Sequence, residues 1–318
     1  MTQCSKTTVP VRVAVPVERP VLTTIILTQN EEKHIARAIR SVAEISERVV
    51  VVDSGSSDRT LKIASDLGAQ VLENAWTNHA TQFNWALEQL PSDTDWVLRL
   101  DADEYLTPEL STQIADALVT AKGEDAAMIM SRRMHFMGKA IRWGGVFPIR
   151  IARAFRYGRG QCESRWMDEH IIFDGAAIEL SGELIDDNLN SLSWWTEKHN
   201  AYASREAVEM LNLKHGFMSA EQYDGLGSNE QAGTKRWLKE KVYARLPSGL
   251  RATLYFLYRH VLRLGFLDGR RGTAFHVLQG FWYRYLVDTK VYEVQIHMQR
   301  YNVDIKQAIK DVLNVDVQ

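Results

Sequence analysis

Three short stretches hold side chains whose types and spacing could do chemistry: Thr28-Gln29-Asn30-Glu31-Glu32, Asp53-Ser54-Gly55-Ser56-Ser57-Asp58-Arg59-Thr60 and Asp101-Ala102-Asp103-Glu104. In extended backbone, residues i and i+2 point the same way, so Asp101 and Asp103 offer two carboxylates to one hard cation. Mg²⁺ or Mn²⁺ takes oxygen ligands and keeps waters and substrate phosphates in its shell, so two carboxylates without histidines suit a metal-bound diphosphate. The plainer alternatives are an acidic turn capping the helix after Thr107 and, for Asp53, an Asx turn before Gly55. A fourth stretch, Glu163 to His170, contains the adjacent carboxylates Asp168 and Glu169. Either suits the removal of a hydroxyl proton, and an acidic surface loop is the competing reading. His170 is a candidate contact to a diphosphate or metal, with a supporting role beside the carboxylates as its alternative.

Elements of matching period must position these groups. VLTTIIL at 21–27, RVVVVD at 48–53 and DWVLRL at 95–100 are apolar runs of strand length. Between them the pattern predicts a helix over 31–45, another opened by Asp58, a short strand at 70–72 and a helix over 78–90. Strands spaced by helices imply right-handed crossovers and a doubly wound, mostly parallel α/β sheet, whose ligand site lies beyond the C-terminal strand ends. A helix from Pro108, strands over 126–136 and 149–155 and a helix over 193–213 should follow. From Gln231 to Asp311 the period is helical, broken near Pro247, Gly265 and Gly272.

The composition of the 318 residues, 45% apolar and 25% charged, excludes a disordered or fibrous chain. A net charge of −2 gives no basic field for nucleic-acid binding. Two cysteines, Cys4 and Cys162, make no disulfide framework and fit a reducing compartment. Residues 1–20 lack the charge and apolar pattern of a signal peptide and are expected as a flexible tail, and no stretch reaches the roughly 20 apolar residues of a spanning helix. No GxGxxG follows the first strand, which disfavours a dinucleotide oxidoreductase.

The three motifs, in this order and spacing, resemble those of the glycosyltransferase family 2 nucleotide-sugar transferases, in particular the branch with the lipopolysaccharide-core β-1,4-glucosyltransferases. The resemblance covers roughly residues 20–215. It implies a GT-A-type catalytic domain over 21–225 and an inverting transfer of a hexose, glucose foremost, from a UDP-sugar, with Mn²⁺ or Mg²⁺ as cofactor. By the same resemblance Thr28, Asn30 and Glu31 border the nucleotide, Asp53 accepts from the uracil imide, Asn84 lies near the sugar-nucleotide, and Asp101 and Asp103 hold ribose and metal. Glu169 becomes the base, with Asp168 the close alternative. Gln29 departs from a frequent aromatic, and Asp186 and Asp187 stand where related enzymes place a histidine. The rival readings are a polyprenyl-phosphate sugar synthase, which needs no base, and a non-catalytic nucleotide-binding membrane adaptor.

Residues 235–271 hold ten basic side chains against Glu240 and Asp268, a net of +8, so the remainder carries −10. Arg251, Arg259 and Arg263 recur at multiples of four, and Arg270 and Arg271 follow. Nine aromatics between Leu250 and Lys290 accompany them. Cations with interfacial rings suit a helix on an anionic bilayer, so residues 226–318 are expected as a helical membrane-interface extension bringing the site to a lipid-linked saccharide. A helical dimer interface and a basic helix packed on the acidic half are the alternatives. The expected location is cytoplasmic, peripheral on the inner face of the membrane.

Overall fold

The computed structural model describes residues 19–163, 169–218 and 249–317; the expected tail, Asp168 and the 225/226 boundary lie wholly or largely outside them. The chain opens as β1 (Leu22–Thr28), α1 (Ile35–Val42), β2 (Arg48–Asp53), α2 (Thr60–Asp66), β3 (Gln70–Glu73), α3 (His79–Glu88) and β4 (Trp96–Asp101). The strand order β3-β2-β1-β4 is parallel throughout. In register, Thr28 lies beside Asp53 and Leu27 beside Asp101, so the three motif-bearing ends share one edge. Both sheet faces are covered, which is why these strands read as continuous apolar runs rather than alternations. Leu22, Ile26, Val51, Leu98 and Leu100 pack under α1 and α2. Ile25, Val50, Val52 and Val97 pack under Ala80, Phe83 and Ala86 of α3.

Helix α1 is shorter than the expected 31–45. Ile35, Ala38, Ile39 and Val42 form its buried stripe. Residues 31–34 are spent on a turn, in which the Glu31 carbonyl accepts from His34 N and Ile35 N. Asn78 caps α3 by accepting from Thr81 N at 2.8 Å.

After β5 (Glu104–Leu106) and α4 (Pro108–Thr120) come β6 (Asp125–Phe136), β7 (Lys139–Ala140), β8 (Ile149–Arg156), the small β9/β10 ribbon (Gly160–Cys162 and Ile171–Phe173) and β11 (Ala176–Asp187). The sheet continues β4-β8-β6-β11-β5, with β8 antiparallel to β4 and β6, and β5 antiparallel to β11. Parallel pairing is therefore concentrated in the first half of a mixed sheet. The long β11, which the periodicity did not suggest, pairs Asp186 with Glu104 and so carries a further carboxylate to the end of β4.

Helix α5 (Leu192–His215) is capped by Ser191 and ends at Gly216 in the left-handed conformation. Its Ala203, Ala207 and Leu211 pack against α8 (Tyr283–Tyr301) and α9 (Ile305–Leu313). Between lie α6 (Leu250–Leu257), a π-helical turn at Tyr258–Leu262, a 3₁₀ turn at Gly265–Asp268, α7 (Gly269–Phe275) and a second π-helical turn at His276–Trp282. The expected break at Gly272 does not occur. A Cβ there would sit 2.0 Å from Asp268 Cβ, so this glycine serves close approach inside α7. Phe136, Ile141 and Val146 pack on Phe275 and seat the helical region on the sheet. Among the described residues no helix is long and apolar enough to cross a membrane.

Candidate active site

The loops after β1 and β2 are zipped together. Asn30, at φ 58°, accepts from Ser57 N (2.8 Å) and donates its own N–H to Ser56 Oγ (2.8 Å). Left-handed backbone is a conformation asparagine tolerates. Glu31 N donates to Thr60 Oγ1 at 2.8 Å and Glu32 N to Asp58 Oδ2 at 3.1 Å. The Glu31 carboxylate meets Nδ1 of the fully buried His34 at 2.6 Å. His34 Nε2 accepts from Leu189 N, so the ring proton resides on Nδ1 and is donated to Glu31. Asp53 is 1% exposed and accepts from Thr28 Oγ1, Ser56 Oγ, Gly55 N and Ser56 N. It thus performs the turn-forming role weighed for it.

A carboxylate–arginine cluster occupies the end of β4. Arg153, 4% exposed, donates from one nitrogen to Glu104 Oε1 (2.5 Å) and Asp101 Oδ2 (2.9 Å). Arg99 Nε lies 3.5 Å and His79 Nε2 3.7 Å from Asp101 Oδ1. Burial alone would raise the Asp101 carboxyl, yet Arg153 and Arg99 hold it well below the usual range. Glu104 moves the other way, pushed up by its burial and by Asp101 against the pull of Arg153. Among the described residues Asp186 pairs with Arg132, at 3.8 Å, and burial with Asp103 beside it pushes its carboxyl up to about 8. Asp103 accepts from Asn188 Nδ2 at 3.0 Å, and its carbonyl from Arg37 and Asp187 N. Among the described residues the buried Nε atoms of Arg99, Arg132 and Arg153 have no hydrogen-bond partner, and all three arginines line the cleft. Spare buried donors beside carboxylates fit an anion carried with a cation.

Among the described residues no group of three or more His, Cys, Asp or Glu is arranged as a ready metal cage. The donor set still fits a hard divalent ion that brings its own phosphate ligands. Asp103 and Asp186 are carboxylates without an arginine in hydrogen-bond range, and their mutual repulsion is what a cation would relieve. Asp101, in contrast, is held by arginine. Glu169 lines the same cleft, with its carbonyl accepting from Arg99 at 3.3 Å.

The family model of glycosyl transferase family 2 matches residues 23–175. An uncharacterized glycosyltransferase of Rickettsia prowazekii is 42% identical over 60% of this chain and 68% of its own length. The lipopolysaccharide core biosynthesis glycosyltransferase LpsC of Rhizobium meliloti is 30% identical over 60% of this chain and 72% of its own. The chain belongs to glycosyltransferase family 2. Its fold is of GT-A type, with a C-terminal helical region. Among solved structures, glucosyl-3-phosphoglycerate synthase from Mycobacterium tuberculosis in complex with Mn²⁺, UDP and glucosyl-3-phosphoglycerate is similar at 19% identity and a TM-score of 0.31, over 36% of this chain and less than half of that one.

Several expected site residues of the transferase lie elsewhere than the resemblance implied. Asn84 is not among the described residues that line the cleft: its amide donates to the Cys162 carbonyl (2.8 Å) and accepts from Cys162 N (2.9 Å), fastening α3 to β9. His170 is exposed at the cleft lining, donates its N–H to the Glu163 carboxylate (3.0 Å), accepts at its carbonyl from Glu163 N and, among the described residues, makes no ion pair with Asp101 or Asp103. Arg251 and Arg259, expected on a membrane surface, are buried: Arg251 pairs with Asp288, and Arg259 donates to the Gly144 carbonyl and Gln279. Arg263, Arg270 and Arg271 are exposed.

The far wall of the cleft is the start of α5. Trp195 stacks on His199 with centroids 3.5 Å apart and meets Phe136 edge-on, so it packs as core. Lys198 Nζ instead lies 4.7 Å from the Trp194 ring and 5.8 Å from Tyr202, both in the cleft lining. Burial would lower this ammonium, but Tyr202, Asp103 and Glu31 opposite push it up. Arg99 was missed by sequence reasoning, and Glu104 was named within its motif without a role of its own. The available signal was a lone arginine inside the apolar run VLRL, since a charge in a buried strand needs a partner.

Proposed function

We propose that the transferase moves a hexose, glucose foremost, from a UDP-sugar to a lipid-linked saccharide in bacterial surface polysaccharide or lipopolysaccharide synthesis, with inversion, working peripherally at the cytoplasmic face of the membrane. The observation that carries the donor side is the trio Arg99, Arg132 and Arg153, each with a spare buried N–H, beside Asp101, Asp103 and Asp186. The loops holding Thr28, Asn30, Glu31 and Asp53 border the nucleotide, with the buried Asp53 carboxylate bracing the turn from behind rather than meeting the uracil imide. Asp101, Asp103 and Asp186 would hold Mn²⁺ or Mg²⁺, which would offset the charge that grows on the departing diphosphate. Glu169, or its neighbour Asp168, takes the acceptor hydroxyl proton as the sugar C1 bond to phosphate breaks and the bond to the acceptor oxygen forms. Lipopolysaccharide is favoured by the relative named for core biosynthesis.

UDP release from UDP-glucose in Mn²⁺, run as a donor panel, tests the reading. Glu169→Gln should lower turnover about 10²- to 10⁴-fold while leaving UDP affinity intact. Full turnover in Glu169→Gln together with loss in Asp168→Asn would move the base to Asp168, and no UDP release with any donor would overturn the enzyme reading.

A further inference from the structure

Between Leu254 and Leu267, seven aliphatic or phenyl side chains stand out of the fold: Leu254, Leu257, Val261, Leu262, Leu264, Phe266 and Leu267 are 41% to 74% exposed. Single exposed apolar residues are ordinary on a protein surface, but such a density within one short lobe marks an interaction site. The lobe is not loosely packed. Leu264 is left-handed at φ 58°, and a Cβ on Gly265 would come within 2.6 Å of His276 and 2.9 Å of the Arg259 carbonyl. The turn is therefore tight on its inner side while it displays leucine and phenylalanine outward.

Charge settles which occupant fits. From Gly249 to Phe275 the exposed charged side chains are Arg263, Arg270 and Arg271. The single carboxylate of the stretch, Asp268, is 3% exposed and turned inward, accepting from Arg142 N and Trp143 N. An outward surface of leucines and arginines without any acid is complementary to an anionic bilayer, where apolar side chains enter the acyl boundary and guanidinium groups meet headgroup phosphates.

We infer that this lobe is an interfacial membrane anchor, whose apolar side chains at 254–267 insert into anionic lipid while Arg263, Arg270 and Arg271 bind the headgroups. The inference deepens the lipid-linked reading of the acceptor and replaces the expected arginine stripe: Arg251 and Arg259 hold the lobe together from inside. The anchor is fixed to the catalytic half. Gly144 N donates to the Arg263 carbonyl at 2.9 Å, and Lys139 Nζ to the Asp268 carbonyl at 2.7 Å. Phe275 of the lobe's next helix and Met137 beside Lys139 belong to the cleft lining, so insertion brings the cleft mouth toward the bilayer.

The test uses the full chain and sedimentation with vesicles of phosphatidylcholine alone or with about one-third phosphatidylglycerol. The wild type should bind the anionic vesicles. The triple variant Arg263→Gln, Arg270→Gln, Arg271→Gln should lose about a hundredfold in partitioning, from about fivefold per arginine. The triple variant Leu257→Ser, Leu262→Ser, Phe266→Ser should fail to bind even at low salt. Both should keep the wild-type affinity for UDP in Mn²⁺, which shows that they fold and separates this inference from the transferase reading. Wild-type indifference to anionic vesicles, or unchanged binding by the apolar triple, would overturn it. So would a dimer that ignores vesicles and dissociates in the apolar triple, which would make the lobe an interface between copies.

Discussion

Arg153 neutralises two carboxylates at once, and its removal puts the electrostatics of the β4 end to a direct test. Glu104 is 1% exposed and Arg153 is 4% exposed, at 2.5 Å from each other, with Asp101 at 2.9 Å on the same nitrogen. Taking away one partner of such a buried pair leaves an uncompensated charge, which costs about 3–5 kcal/mol. On a typical total of about 5–15 kcal/mol that is a large fraction, and it corresponds to a fall of roughly 10 °C in melting temperature. Arg153→Met keeps the volume and removes the charge. Because burial already pushes Glu104 up, losing the arginine raises it further, so the folded protein holds a proton that the unfolded chain releases. A carboxyl raised in this way stabilises at low pH, and the contribution is lost as pH rises through the folded-state value. The deficit of Arg153→Met, measured by urea denaturation, should therefore grow from pH 5 to pH 8. Pairing it with Glu104→Gln should recover a good part of the loss, because the double variant buries one charge fewer. A deficit under about 1 kcal/mol, or one equal at both pH values, would refute the reasoning.

Asn84→Ala should cost roughly 1–3 kcal/mol by orphaning two buried backbone groups of Cys162, with UDP affinity unchanged; weakened UDP binding would return Asn84 to the donor site. For Asp186, raised to about 8, the unfolded chain gives up its proton near pH 4 while the folded one keeps it. Stability of the metal-free protein should fall by up to about 1.4 kcal/mol per pH unit across that window, and Asp186→Asn should flatten the slope in a thermal-denaturation series. An identical slope in the variant would remove Asp186 as its source.

Much of the donor edge was legible because β1, β2 and β4 are buried on both faces, and their apolar runs and carboxylate ends mark strand, edge and register together. The second half was not. β11 mixes exposed and half-exposed polar residues such as Glu179 and Glu183 with buried Leu180 and Leu184, and its pairing with β5 is what brings Asp186 to Glu104. Arg153 on β8 meets Asp101 only once antiparallel β8 is laid against β4, the strand that Asp101 shares with Arg99. In the tail, spacing correctly grouped Arg251 with Arg259 but could not say which face is inward. The π-helical turn at Tyr258–Leu262 takes more residues to close each turn, so Arg263 leaves the face its spacing assigned and emerges on the surface.

Calorimetric titration of UDP into the full chain, with and without Mn²⁺, tests the central claim most directly. A carboxylate–arginine edge that binds a cation with a diphosphate predicts at least about tenfold tighter UDP binding in Mn²⁺, and loss of that gain in Asp103→Ala. Equal UDP affinity with and without the metal, or a gain that survives in Asp103→Ala, would contradict it.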